Sequence, residues 1–403
     1  VENLYDLEKP QGGQEMKVLV RGENQLGELG LNKEIIQKTR KTITTGVKAV
    51  ASGIYHTLVL KDDGSLWTTG RNHYDQLGDG TNLDRSNLQM IVPLGVESVA
   101  ACGYHSLFVK SDGSLWGFGN GNHGELGLGD STDRPSPVRV LPSGVKQVIS
   151  GVHHTLFIKS DGSLWGMGNN VHRQLGTGNS SLQLVPLQIE GGEVISATGG
   201  YKHSAFVKVD GSLWTMGQNE YGQLGDGTTT SRSSPVQIES SGVVEVSAGM
   251  YHTFYRKTDG SLWTCGLNSQ GQLGDGTTTN RSTPFQIEAS GVASLADSSY
   301  SYVTRYGKSD GSAWAVGSNE YGQLGDGSVV DRNQSVQIAS VGVKAISSGL
   351  RFGYILLNTG ELKGFGNRSY GRLGDGLPLA HDWTPLDIAE GVRDFEMGAL
   401  MSS

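Results

Sequence analysis

The chain has 403 residues, of which 61 are Gly, 32 are Lys or Arg and 40 are Asp or Glu. A net charge of −8 argues against nucleic acid as a partner, since such proteins present a basic face. Glycine at about twice its usual share, beside an ordinary apolar content, points to many tight turns around a real core and excludes a disordered tract.

In chain order, residues 3–9 (NLYDLEK) read as a short strand, joined through PQGG to a second at 17–22 (KVLVRG). A loop, ENQLGELG, leads to a further strand near 41–46 (KTITTG). Full units then start near Gly46, Gly95, Gly144, Gly192, Gly242, Gly291 and Gly342. In the first unit, residues 46–53 (GVKAVASG), 56–61 (HTLVLK) and 65–70 (SLWTTG) are strand-like. The DDG between the last two is a hairpin signal, because Gly tolerates the positive φ such turns need. A fourth, outer strand such as 235–239 (PVQIE) is opened by Pro, which suits a sheet edge. Residues 391–398 (GVRDFEMG) are a leftover first strand.

The Asp-Gly pairs begin at Asp63, Asp112, Asp161, Asp210, Asp259 and Asp310, with a degenerate seventh at Thr359, at intervals of 49, 49, 49, 49, 51 and 49. Four short strands every ~50 residues is the signature of a propeller. Each sheet buries its faces on its neighbours, and a closed ring lets every unit do so. The expected fold is all-β, a single β-propeller domain over 1–403. Eight four-stranded blades are favoured, the closing blade being built from residues 3–45 and 391–398; seven blades is the alternative.

Trp67, Trp116, Trp165, Trp214, Trp263 and Trp314 recur on the third strand and are expected to pack between sheets. Leu77 and its six equivalents read as plugs for the loop after that strand, and Asp79 and its equivalents in LGDG as turn formers. His56, His105, His154, His203 and His252 are expected to bond across the turn between first and second strands; blades six and seven carry Val303 and Phe352 instead. Equivalent atoms in adjacent blades are too far apart to share one ion, so no metal ligand is assigned. Cys102 and Cys265 sit at non-equivalent positions, and a built-in disulfide is not expected.

The stretches VKAVASGIYHTLVLKDDGSLWTTGRNHYDQLGDG and VVEVSAGMYHTFYRKTDGSLWTCGLNSQGQLGDG resemble repeats of the regulator of chromosome condensation (RCC1) family. Gly-x-x-His-Thr, Asp-Gly, an aromatic before Gly, Asn and Gly-Gln-Leu-Gly carry the resemblance over residues 17–398. The DGSLW and QLGDGT forms are similar to bacterial members. The resemblance implies seven blades, from which a count of eight departs. Its founder is an exchange factor for a small GTPase and binds chromatin; this chain is acidic and shows no long insertion to wedge into a GTPase. Plant photoreceptors of the family use Gly-Trp-Arg-His-Thr, which GIYHT, CGYHS, GVHHT, GYKHS and GMYHT do not match, so light sensing is not expected. A secreted bacterial relative blocks β-lactamases through aromatic loops on one face, the most useful comparison.

Function is expected at the turn before each His, which carries Tyr55, Tyr104, His153, Tyr201, Tyr251, Tyr300, Tyr302 and Arg351 beside Phe352, with packing between blades the alternative for Tyr104 and Tyr251; Tyr and Arg most often anchor protein interfaces. The irregular segments DSSYSYVTRYGK and SGLRFGYILLNTG abandon the consensus, which points to that sector as the binding one. A second cluster, in the loops after the third strand, holds His73, Tyr74, His123, His172, Arg173, Tyr221, Tyr321 and Tyr370. The reading is a non-catalytic scaffold that presents loops of a rigid ring to a protein partner, with no catalytic residue, cofactor, nucleic acid or membrane insertion, and a monomeric propeller. A polysaccharide-acting propeller enzyme and an exchange factor for a small GTPase are the alternatives. The resemblance and a start at Val, compatible with a removed leader, set the expectation of a bacterial or phage protein at the surface or outside the cell.

Overall fold

The computed structural model describes residues 5–7, 18–20, 36–296, 300–375 and 386–387. Seven four-stranded antiparallel sheets follow one another around a ring. Blade one consists of Val47–Ser52, His56–Lys61, Leu66–Gly70 and Arg85–Val92. Blades two to six repeat that order over 96–141, 145–190, 194–239, 243–288 and 292–339. Blade seven takes Val343–Ser348, Phe352–Leu357 and Leu362–Asn367 from one end of the chain and Ile36–Thr44 from the other.

The count of eight blades is therefore corrected to seven. The strand read as the outer edge of an eighth blade pairs instead with Leu362–Asn367, with Ile36 opposite Asn367 and Thr42 opposite Lys363. Blade seven packs directly on blade one. Val47 and Val59 share a core cluster with Phe352, Tyr354 and Leu356, and Ser347 Oγ donates to Ser52 Oγ at 2.9 Å, so no space is left for another sheet. Tyr5–Leu7 does pair antiparallel with Val18–Val20, but their third partner is Leu386–Asp387, giving a separate three-stranded sheet. Residues 391–398 lie outside the described residues.

The DGSLW motif is a relay. Asp63 Oδ1 accepts from the Ser65 amide at 2.8 Å and the Ser65 hydroxyl at 2.6 Å, and Ser65 Oγ accepts from the Trp67 indole at 2.8 Å. The same three bonds recur from Asp112 to Trp116 and from Asp161 to Trp165. The indole is thereby held flat between blades: Trp116 stacks on Phe108 at 6.1 Å and 9° and packs against Leu58 and Leu60 of blade one. At the hairpin before it, Gly64 has φ +79°, and a Cβ there would meet the Gly95 amide of the next blade at 3.0 Å. Only Gly is free of strain at this position.

Leu77 is fully buried, as the plug reading requires. Asp79 does more than form a turn. Its Oδ1 accepts from Asn72 Nδ2 and from the Thr81 amide and hydroxyl, and its Oδ2 accepts from Arg85 Nε at 2.8 Å. Asp226, Asp275 and Asp326 make the same set with Arg232, Arg281 and Arg332, tying each long loop to its outer strand.

The histidines do not hold their own turns; they join blades. His56 Nε2 lies 2.8 Å from Ser106 Oγ, His154 Nε2 2.8 Å from Ser204 Oγ and His252 Nε2 2.9 Å from Thr304 Oγ1, each partner being on the next blade. The Ser106 hydroxyl donates to the Gln76 carbonyl at 2.8 Å, so it accepts from the imidazole, which fixes the Nε2–H tautomer.

Blades six and seven depart from consensus because they close the ring differently. Gly353 removes the hydroxyl that would meet a histidine at position 303, and the Arg305 guanidinium takes over, donating to the Gln323 carbonyl and to Ser348 Oγ. At the last junction Phe352 replaces the imidazole, and the Tyr354 hydroxyl donates to the Arg372 carbonyl at 2.7 Å. Tyr300 stands where Gly53, Gly151, Gly200, Gly249 and Gly349 press on a ring, a ring that Val303 replaces in this blade. The irregularity of this sector thus has a packing cause.

Candidate protein-binding face

Antiparallel order sends the turns between first and second strands and the loops between third and outer strands to the same end of the ring, and the Asp-Gly hairpins to the other. The two clusters are therefore one surface. At five of the seven junctions a ring in the loop of one blade meets a ring or guanidinium in the turn of the next. Tyr74 lies 4.8 Å from Tyr104, His123 4.8 Å from His153, and Tyr221 5.1 Å from Tyr251, all between ring centroids. Arg351 sits 4.1 Å over the Tyr321 ring, and Tyr370 lies 5.6 Å from Tyr55. Arg71 and Arg372 flank that last pair, at 5.3 and 4.8 Å from the Tyr55 ring.

Toward the axis, Tyr201 touches His153, Tyr251 and Tyr300 at 5.9, 5.5 and 5.5 Å, which spans blades three to six. Tyr55, Tyr104, Tyr201 and Tyr300 close over buried Ile54, Cys102 and Val152, so the central opening is capped by half-buried rings. Burial, with the neighbouring tyrosines adding to it, raises the Tyr251 and Tyr300 hydroxyls above the usual tyrosine range, so both stay neutral donors.

Of the residues singled out from sequence, Tyr55, Tyr201, Tyr300, Tyr302 and Arg351 are half-buried and lie in the turns at this end. Phe352 does not. It is fully buried against Tyr354 and under Arg372, so its side chain offers a partner nothing. Sequence reasoning missed Arg71, Arg372 and Lys202, whose ammonium lies 4.9 Å over Tyr201. For Lys202 the signal was its alignment with Tyr55, Tyr104, Tyr251 and Tyr302, the residues directly before the equivalent positions of the other blades; Arg71 and Arg372 align with no tyrosine. Asp331 accepts from the Asn319 amide, as Asp84 does from Asn72; Asp297 and Asp382 lie outside the described residues.

Among the described residues one group combines metal-capable side chains: His123, Glu125 and His153, whose ligand atoms lie within 4.8 Å of one another. Burial alone would raise the Glu125 carboxyl, but hydrogen bonds from His123 and His153 outweigh it and hold it at about 2.

The sequence profile of the RCC1-like domain matches residues 13–242, and RCC1 repeat profiles match 243–272 and 259–297. The chain belongs to the RCC1-like family. The regulator of chromosome condensation of Xenopus laevis is 35% identical over 81 residues, a stretch spanning 19% of this chain and 18% of that protein. The structure of yeast RCC1 (Prp20) bound to Kap60 superposes with a TM-score of 0.69 at 20% identity, covering 92% of this chain and 91% of the other. Human WBSCR16 gives 0.67 at 20% identity over 80% and 87%. Prp20p of Saccharomyces cerevisiae, described with its binding to Gsp1p and histones, gives 0.65 at 20% over 79% and 82%. These likenesses establish the RCC1-like ring as the fold. Membership also accounts for the blade number, since the resemblance had implied seven.

Proposed function

We propose that this RCC1-like ring is a non-catalytic module that binds a protein partner through its aromatic end. One observation carries the reading: rings and guanidinium groups from successive blades form one continuous, half-buried surface at that end, while the opposite end presents the short Asp-Gly hairpins. Tyrosine and arginine give large contact area with few torsions to freeze, and here their neighbours already hold them in place, which lowers the ordering cost of binding. That relatives such as Prp20 bind Kap60, Gsp1p and histones supports a protein as the ligand class. We place the module at a bacterial or phage cell surface or outside the cell, on the likeness of its repeats to bacterial members.

Photo-cross-linking tests this. A benzophenone side chain at Tyr74 or Tyr321 is expected to capture a protein in the native source, and one at Asp112 or Asp161 on the hairpin end is not. Capture from the hairpin end alone overturns the reading.

A further inference from the structure

The junction between blades two and three differs from the other six at its buried centre. Elsewhere the side chain beneath the loop is Gln, or Arg372 at the closing junction; here it is Glu125. The turn residue facing it is Tyr, Lys or Arg elsewhere and His153 here, and the loop residue is His123. A loop histidine recurs as His172 at the next junction, but only here do Glu125 and His153 stand with it, so the repeats supply an internal comparison.

The exchange inverts the chemistry at one atom. At ordinary junctions the loop amide donates to the Gln oxygen, as Tyr74 N does to Gln76 Oε1 at 2.8 Å and Tyr221 N to Gln223 Oε1 at 3.0 Å. The inward Nε2 donors of Gln76 and Gln223 are then buried without a partner. Glu125 keeps the first bond, accepting from His123 N at 2.8 Å through Oε2, and turns the inward atom into an anionic acceptor. That Oε1 lies 3.2 Å from His123 Nδ1 and 3.8 Å from His153 Nδ1. The carboxylate side chain is only 1% exposed, whereas the two imidazoles are 38% and 26% exposed. A buried carboxylate calls for a cation.

Two imidazole nitrogens and one carboxylate oxygen form a donor set suited to zinc-class ions. Ligand atoms bound at ~2.1 Å in tetrahedral geometry lie roughly 3.4 Å apart; the two imidazole–carboxylate separations are 3.2 and 3.8 Å and all three atoms lie within 4.8 Å of one another, so a small side-chain rotation closes the site. We propose that His123, Glu125 and His153 bind one divalent transition-metal ion of this class, through Nδ1, Oε1 and Nδ1. The remaining coordination position opens on the aromatic end, where water or a donor from a bound protein completes it. The amide bond to Oε2 is the outer support that orients the carboxylate. This site stands independently of the partner-binding reading.

The test uses the full chain, stripped with a chelator and titrated with Zn2+ by calorimetry and with Co2+ by visible absorption. One ion per chain is expected, with cobalt bands of a low-coordinate site. Glu125→Gln, which restores the residue of five other blades, is expected to weaken binding at least about tenfold. His172→Tyr, at the neighbouring junction, is expected to leave it unchanged. Should Glu125→Gln melt differently from the parent, His153→Tyr, again a residue of other blades, replaces it. Absence of saturable binding, or equal affinity in the parent and the Glu125 variant, overturns the proposal.

Discussion

His56 donates through Nε2 to Ser106 Oγ across a blade boundary, at 2.8 Å, and both side chains are fully buried. Four more histidines make the equivalent contact to the next blade, so the ring carries five such staples. Each imidazole is neutral because burial holds it far below its ordinary value of 6.5: about 3 for His56, His154 and His252, and about 4 for His105 and His203.

Acid sensitivity follows with a definite sign. Above pH 6.5 the imidazoles are neutral in folded and unfolded chains alike. Below it the unfolded chain takes up protons that the folded one refuses, so stability is lost from pH 6.5 down to about 3 to 4. Each histidine contributes about 1.4 kcal/mol per pH unit, so the five together cost roughly 7 kcal/mol by about pH 5.5, comparable to the whole stability of many domains. Denaturant unfolding as a function of pH checks this. His154→Phe, which copies Phe352 of blade seven, is expected to shift the acid transition to lower pH.

Arg305 is the corresponding device at the junction of blades six and seven. Arg305→Leu, which introduces the residue found at Leu58, Leu107 and Leu156, leaves the Gln323 carbonyl and Ser348 hydroxyl without their donor. A loss of about 1–3 kcal/mol in urea unfolding is expected. An unchanged midpoint would show that the guanidinium is not what joins these blades.

Asp226→Ala removes the acceptor of Asn219, Thr228 and Arg232 at once. The Asp226 side chain is 4% exposed, and the variant is expected to lose about 1–3 kcal/mol, with faster amide exchange confined to the loop and outer strand of blade four.

Removing residues 1–45 takes away the outer strand of blade seven and exposes the edge of Leu362–Asn367. An open edge invites pairing with other chains. The truncated protein is expected to melt more than about 10 °C lower and to aggregate, measured by calorimetry and light scattering.

Much of this was legible in one chain because it is written seven times. The period, the four strands per unit, the Leu77 plug and the interblade Trp follow from recurrence alone. The blade number was not, because two segments compete for one edge. Repeat spacing puts the stretch around Leu386 on the outside of the seventh unit, yet Ile36–Thr44 occupies that edge and Leu386–Asp387 pairs with Val18–Val20. A sequence shows leftover strands at both ends without saying which edge each will meet. The histidines were read as turn holders because their true partners stand 50 residues on, a separation that acquires meaning only when adjacent repeats are packed. Phe352 was placed at the surface with its neighbour Arg351, although strand alternation turns the two to opposite sides. The irregular blades looked functional because their compensation, Arg305 against Gly353, links positions that no single repeat contains.

The central claim, that the aromatic end is the binding surface, is tested most directly by the affinity of a cross-linked and identified partner for the purified ring. The double variant Tyr302→Ala, Arg351→Ala is expected to bind more than about tenfold more weakly with an unchanged melting temperature. A hairpin-end variant, Asp112→Ala with Asp161→Ala, is expected to bind like the parent. Full affinity in the first variant, or loss only in the second, would contradict the account.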